Sequence, residues 1–331
     1  MILVTGGTGL VGSHLLYHLA LENDAIKAVY RTEYSLEKVK NVFSYYSDNV
    51  DDLFSKIEWI LADVTDVPSL EIAFIDVTFV YHCAAVVSFD SREYRMMRQV
   101  NIDGTANVVN LSIDKKIKKL CFVSSIAAVG DSIHNNTVTE ENEWDVAGNN
   151  SGYSITKYGA EMEVWRASQE GIDVVVVNPG VILGPGFWEV NTGSMFSKVH
   201  RGFKYYTEGV TGFVGVNDVA KVMLLLMKSS FKNERYILVS ENVSFREVFN
   251  LIAKGFDRKI PTIKISKSLT TIAWRVDFIL SKLTGKRQKL TKEASKSLHR
   301  KTYYSSEKLF ASTTFEFEPI KHVVDKTCGL F

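Results

Sequence analysis

ILVTGGTGLVGSHLLYHLALEN, residues 2–23, decides the fold. A short run of apolar and β-branched residues leads into Gly6, Gly7, Gly9 and Gly12, and then into an amphipathic segment that predicts a helix over 10–22. Strand, glycine turn and helix in that order bring backbone N–H groups and the positive end of a helix against a pyrophosphate. Gly7, Gly9 and Gly12 satisfy G-x-G-x-x-G, while Gly6, Gly9 and Gly12 satisfy the related G-x-x-G-x-x-G. Glycines alone are weak evidence, because a turn can need them for packing only. The flanking strand and helix make a dinucleotide the expected ligand, cradled by Gly6, Gly9, Leu10, Val11 and Gly12.

Outward from this stretch, short β-branched runs alternate with helix-length segments. The runs are 2–5, 26–30, 57–62, 78–83, 119–125 and 173–179, and helices are expected at 10–22, 92–115 and 152–170. Alternation of this kind predicts an α/β protein with a doubly wound parallel sheet, its strands continuously apolar because both faces are covered. After Pro179 glycines and prolines loosen the pattern, and helices resume near 217–229 and 244–255 around a short strand at 235–239. The expected organisation is a nucleotide-binding core over 1–180, with 212–240 returning to it. Residues 181–211 and 241–331 then form a smaller, mostly helical substrate-binding region.

The 331 residues are 46% hydrophobic and 23% charged, with a formal net charge of +1, which does not suggest a nucleic-acid binder. Three scattered cysteines, Cys83, Cys121 and Cys328, predict neither a disulfide framework nor a metal site and fit small buried hydrophobes in a reducing compartment. The apolar N-terminus lacks the basic region of a signal peptide, and no run reaches the length of a spanning helix. A cytoplasmic protein is expected.

The cofactor's identity turns on the end of the second strand, where a carboxylate would bind the ribose of NAD. This chain reads Val29-Tyr30-Arg31 there, and Arg31 suits a 2′-phosphate, with Lys38 as a second charge. NADP(H) is therefore the preferred cofactor, with Glu33 as the carboxylate that would favour NAD(H). Asp63, at the end of the third strand, is placed to accept from the adenine amino group, next to Val64. Asp66 reads as a turn or N-cap residue.

Reducing a carbonyl requires a proton donor and groups that polarise the C=O bond. Tyr153 and Lys157 stand four apart, on one face of a helix, where an ammonium can lower the tyrosine pKa. Tyr158 lies on another face. The pair is common by chance, but CFVSS (121–125) ends the fifth strand at the sheet's carboxyl edge, and Asn101 lies in the preceding helix.

With TGGTGLVG, Asp63, HCAA (82–85), NIDGT (101–105), Ser125 and the Tyr153/Lys157 pair in this order, the chain resembles the extended short-chain dehydrogenase/reductase family. The resemblance implies a Rossmann-type core. It implies Tyr153 as general acid/base, Lys157 on the nicotinamide ribose, Ser125 on the substrate oxygen and Asn101 in a water relay. Val64, Ala84, Ala85, Pro179, Gly180 and Val181 would contact the cofactor. Ile126-Ala127-Ala128 replaces the acidic pair of the family's dehydratases, and NPGVILGPG is similar to dihydroflavonol reductases, cinnamoyl-CoA reductases and 3β-hydroxysteroid dehydrogenases. These features imply an oxidoreductase on a medium-sized, apolar or aromatic carbonyl or alcohol. A nucleotide-sugar epimerase and a non-catalytic cofactor sensor are the alternatives, and the resemblance implies a monomer or a homodimer.

Residues 254–308 hold fifteen Lys/Arg against four Asp/Glu, a net +11 that leaves the rest of the chain near −10. Solvated helices are the ordinary reading of such a segment, a polyanionic substrate or an anionic membrane surface the functional ones. The apolar positions of 268–283 predict a helix packed on the core or over the pocket. Phe187, Trp188, Phe196, Phe203, Tyr205 and Tyr206 are candidates to line an apolar pocket.

Overall fold

The computed structural model describes residues 1–22, 25–131, 137–148, 150–285, 288 and 290–331. Its strands are β1 (Ile2–Thr5), β2 (Ile26–Tyr30), β3 (Ile57–Leu61), β4 (Phe79–His82), β5 (Lys119–Val123), β6 (Asp173–Pro179), β7 (Val181–Leu183), β8 (Tyr205–Tyr206), β9 (Val210–Gly215), β10 (Glu234–Leu238), β11 (Glu241–Ser244) and β12 (Ile263–Lys264). Seven of them form one parallel sheet in the order β3-β2-β1-β4-β5-β6-β10. Strand order reverses between β1 and β4, where Val4 pairs with Ala28 on one side and Tyr81 on the other. A crevice opens at the carboxyl ends of strands at such a reversal.

Successive residues of the same strand serve opposite cores. Val4, Tyr81, Cys121 and Val175 pack under the helices Leu10–Glu22 and Val216–Lys228. Leu3, Val80, Leu120 and Val174 pack under Val67–Ala73, Gly104–Asp114 and Gly152–Gln169. With both faces covered, no polar alternation survives in the strands, which is why they read as continuous apolar runs. Lys119, buried at the start of β5, donates from Nζ to the carbonyls of Leu226 (2.7 Å) and Ser229 (2.9 Å). It thereby satisfies carbonyls that the helix Val216–Lys228 leaves open at its end.

The expected helix at 92–115 is a rod of several turns. Tyr94–Arg98 leads into a π turn, Gln99–Asp103, and then into Gly104–Asp114. Residues 212–240, expected to return to the core, divide: Val210–Gly215 pairs with β7 and β11 in a separate small sheet, and Val216–Lys228 and β10 return to the central one.

One expectation is divided and one corrected in the C-terminal part. Phe196 is fully buried, and Trp188, Phe203 and Tyr206 pack on the same third core as Phe213, Phe249, Ile252 and Ile320, while Phe203 and Tyr205 also border a surface cavity. The helix Lys267–Thr284 does not lay its apolar stripe on the protein. Thr270 and Ser281 are the residues it buries, while Leu269, Ile272, Val276, Ile279, Leu280 and Leu283 face outward. Lys286, Arg287 and Lys289 of the basic segment lie outside the described residues.

Candidate active site

At the end of β1, Gly6 has φ +67°, and a Cβ there would stand 2.5 Å from the Ala84 backbone nitrogen. Gly12 is tighter still, its Cβ position lying 2.2 Å from the Gly6 carbonyl oxygen. That oxygen accepts the Gly9 N–H at 3.0 Å, and the Gly9 carbonyl accepts from Ser13 at 2.9 Å. The turn is folded onto itself and onto the segment after β4. Beyond it the first helical residues, Leu10, Val11 and Gly12, carry N–H groups that an α-helix cannot pair within itself. A cradle without side chains, opening on a helix N-terminus, fits a dinucleotide pyrophosphate.

Beneath the turn, His82 at the end of β4 is fully buried. Thr105 Oγ1 donates to the Asn101 carbonyl (2.5 Å) and lies 2.9 Å from His82 Nε2, and Thr5 Oγ1 lies 2.6 Å from Nδ1. Since the Thr105 proton is committed, Nε2 carries the ring hydrogen and Nδ1 accepts from Thr5. Burial drives the imidazole pKa down to about 3, with the Lys157 ammonium adding to the shift. The network ties β1, β4 and the π turn together.

At the ends of β2 and β3, Asp63 Oδ1 accepts from Thr65 N (2.9 Å) and Oγ1 (2.8 Å), while Oδ2 faces Arg31 NH1 at 3.6 Å. Burial alone would raise this carboxyl; the Thr65 bonds and the guanidinium outweigh it and hold the pKa below the usual range. Arg31 is exposed, and Lys38 Nζ sits over the Tyr34 ring at 5.2 Å. Asn107 Nδ2 donates to the Val64 carbonyl (2.9 Å), fixing that loop. Asp66 takes the N-cap position of Val67–Ala73 without a side-chain bond.

The helix Gly152–Gln169 starts at Ser151, whose hydroxyl accepts from Ser154 N (3.0 Å). Tyr153 is half-buried in its first turn, its ring 6.0 Å from Phe89 in an edge-on contact. Burial raises the phenol pKa, and the neighbouring Ser125 side chain opposes the shift. Ser125 follows β5 in extended backbone and accepts from Ala127 N at 3.1 Å. One turn beyond Tyr153, Lys157 is buried; its Nζ donates to the Val123 carbonyl (2.7 Å) and lies 4.5 Å from the Phe122 ring centre. Its pKa falls to about 8 through burial, opposed by the Glu161 carboxylate. Asn101 has a different setting. Its Oδ1 accepts from Val86 N (2.7 Å) and its Nδ2 donates to Val86 O (2.9 Å) and Thr156 Oγ1 (3.1 Å), so the amide clamps the segment after β4 to the Tyr153 helix.

Residues 2–238 match the sequence profile of the NAD dependent epimerase/dehydratase family. The chain belongs to this family. Among its relatives, an anthocyanidin reductase of Arabidopsis thaliana is 27% identical over 315 residues, covering 88% of each chain. A UDP-glucose 4-epimerase of Vibrio cholerae is 27% identical over 270 residues, covering 78% of this chain and 76% of the relative. Among solved structures, that of gox2253 superposes with a TM-score of 0.82 at 23% identity, covering 100% of this chain and 97% of its own, a likeness of fold. This epimerase/dehydratase-family protein is thus an extended short-chain dehydrogenase/reductase with a Rossmann-type core, among NAD(P)-dependent reductases and epimerases. Among the described residues, no helix is long and apolar enough to cross a membrane.

In this family member the sequence reading missed a buried carboxylate. Glu161, one turn beyond Lys157, is fully buried and takes four donors: Ser124 Oγ (2.6 Å), Asn178 Nδ2 (2.9 Å), Trp165 Nε1 (3.3 Å) and Arg235 NH1 (3.3 Å). Asn178 also donates to the Ser125 carbonyl at 3.0 Å. Arg235, from β10, is held in turn by the Glu140 and Asn142 carbonyls. Ser125, Lys157 and Tyr153 are thus anchored to β5, β6 and β10 through one carboxylate. A signal was present: Tyr153, Lys157, Glu161 and Trp165 recur every four residues. Tyr158, off that face, stacks on Trp144 at 4.5 Å and 8°.

Proposed function

We propose that the protein is an NADP(H)-dependent oxidoreductase that reduces a carbonyl to an alcohol, with Tyr153 as the proton donor. The observation that carries this reading is the placement of Tyr153, at the start of its helix, beside Ser125 after β5, with Lys157 buried one turn along the same helix. Bound dinucleotide supplies the hydride in the reductive direction. Tyr153 Oη gives its proton to the forming alkoxide, and the Ser125 hydroxyl donates to the same oxygen. The polarised C=O bond becomes C–H and O–H. A phenol whose pKa is raised by burial remains a donor at neutral pH, which suits reduction better than proton abstraction from an alcohol. Lys157 contributes positive charge beside the phenol and binds the nicotinamide ribose. Asn101 acts here through the geometry of the π turn.

In the cofactor cleft, Gly6, Gly9, Leu10, Val11 and Gly12 take the pyrophosphate and Asp63 and Val64 the adenine. Ala84, Ala85, Pro179, Gly180 and Val181 line the nicotinamide end. Arg31, exposed at the end of β2, would bind a 2′-phosphate. Residues 181–211 and 241–331 form the substrate-binding region. Val87 and Phe89 remain exposed, Phe89 against Tyr153, which favours an apolar or aromatic substrate.

The test follows NADPH and NADH oxidation with aldehydes, ketones, coenzyme A thioesters and UDP-sugars, for the wild type and for Tyr153→Phe. The expected result is NADPH-dependent reduction of an apolar carbonyl, reduced in Tyr153→Phe by about 10²–10⁴-fold at unchanged melting temperature. Turnover surviving Tyr153→Phe removes the acid assignment. Interconversion of UDP-sugars without net NADPH use replaces the reading with an epimerase.

A further inference from the structure

The helix Lys267–Thr284 is built the wrong way round for a globular protein. Its 18 residues span about 27 Å at 1.5 Å per residue. It is properly started, with Ser266 Oγ accepting from Leu269 N (3.2 Å), and it ends at Gly285 with φ +67°. The face it turns to the protein is polar: buried Thr270 Oγ1 lies 2.9 Å from His299 Nε2, Asp277 Oδ2 accepts from Leu290 N (2.8 Å), and Ser281 is buried. Leu269, Ile272, Val276, Ile279 and Leu280 are each 50–58% exposed, and Leu283 reaches 78%. At 100° per residue these six fall in a stripe about 100° wide. An ordinary surface helix buries that stripe; a contiguous exposed one marks an interaction surface.

Charge identifies the occupant. Arg275 and Lys282 border one side of the stripe, the guanidinium over Trp274 (5.4 Å) and the ammonium over Phe278 (4.6 Å). The surrounding residues 254–308 carry net +11 in a chain of net +1. A second copy of this chain would set that basic segment against itself. An apolar stripe with a cationic border in a basic segment matches a bilayer interface bearing anionic headgroups, where the stripe enters the acyl boundary and Lys/Arg meet lipid phosphates. The helix is too polar to span, so it would lie in the interface plane.

We infer that Lys267–Thr284 is an in-plane docking element for an anionic lipid bilayer. The inference stands apart from the proposed reaction and is tested without it.

The experiment is co-sedimentation of the full chain with phosphatidylcholine vesicles, alone or with about one quarter phosphatidylglycerol, a composition that gives an anionic surface. Ile272→Glu/Ile279→Glu and Arg275→Glu/Lys282→Glu are run beside the wild type, with sedimentation velocity in the absence of lipid. The expected result is binding to the anionic vesicles at least tenfold stronger than to phosphatidylcholine. The apolar-stripe variant should lose it at unchanged melting temperature, and the charge variant should lose the preference for anionic lipid. No binding by the wild type overturns the inference, as does binding that survives Ile272→Glu/Ile279→Glu. A lipid-free dimer that this variant converts to monomer also overturns it, because the stripe is then an interface between copies.

Discussion

Glu161 has the most to say at the residue scale. Lys157 is buried with Glu161 one turn ahead, Cys83 and His82 beneath it and Tyr153 one turn behind, while Arg235 approaches Glu161 from the far side. A buried lysine loses its proton readily, and the carboxylate opposes this. Removing the charge in Glu161→Gln therefore lets Lys157 deprotonate at lower pH than its present value of about 8. We expect the alkaline fall of kcat/KM for carbonyl reduction to move to lower pH, with up to about tenfold loss above pH 8 and a smaller one at pH 6. Equal losses at all pH values would make Glu161 a packing residue only. Tyr153, Lys157 and Ser125 could be singled out in the sequence because the glycine turn, CFVSS and the Tyr/Lys pair occur together in one order, although the pair alone is common by chance. Glu161, Asn178 and Arg235 were not, because they meet only when three strands and a helix are assembled.

At the scale of elements, the glycine turn shows two effects in opposition. Gly12 lies in the helix Leu10–Glu22, where Gly→Ala should gain about 1 kcal/mol from propensity. The added Cβ would meet the Gly6 carbonyl at 2.2 Å, and overpacking against backbone costs about 1–3 kcal/mol. The clash wins. Gly12→Ala should lower the melting temperature and weaken dinucleotide binding, read by fluorescence titration, by at least about tenfold, each 1.4 kcal/mol being a factor of ten. Gly329→Ala, at the end of the helix Ile320–Gly329 with nothing near its Cβ, should leave dinucleotide binding unchanged and should not lower the melting temperature. The strands of the central sheet were readable as apolar runs, since both faces of the sheet are covered, whereas their spatial order came from the assembled sheet. The π turn at Gln99–Asp103 and the reversed face of Lys267–Thr284 were not readable, because helical periodicity gives neither hydrogen-bond register nor the partner of a stripe.

For the whole molecule, two buried histidines set the acid limit of stability. Burial lowers His82 to about 3 and His14 to about 4, His14 lying between the Pro185 carbonyl (3.1 Å) and the Tyr46 hydroxyl (2.8 Å). In the unfolded chain both titrate near 6.5. As pH falls below about 6.5 the unfolded state takes up protons that the folded state refuses until about 3 and 4. Stability is therefore full above pH 6.5 and lost on acidification, by up to about 1.4 kcal/mol per pH unit for each histidine. Thermal melts between pH 7 and 4.5 should show this slope, and His14→Gln, which can still bond both neighbours, should flatten it. A slope unchanged in that variant would assign the acid loss to other groups.

The link from Glu161 to Arg235 also sets an order of assembly. The two lie 74 residues apart, and Arg235 stands on β10, the last strand added to the sheet's edge. During synthesis from the N-terminus, Gly152–Gln169 and β6 emerge long before the cation that Glu161 must be buried with. A nascent chain can fold its glycine cradle early, but Glu161 lacks its Arg235 partner until β10 arrives. On the proposed reading, the pyrophosphate cradle is thus complete before the proton-donating end.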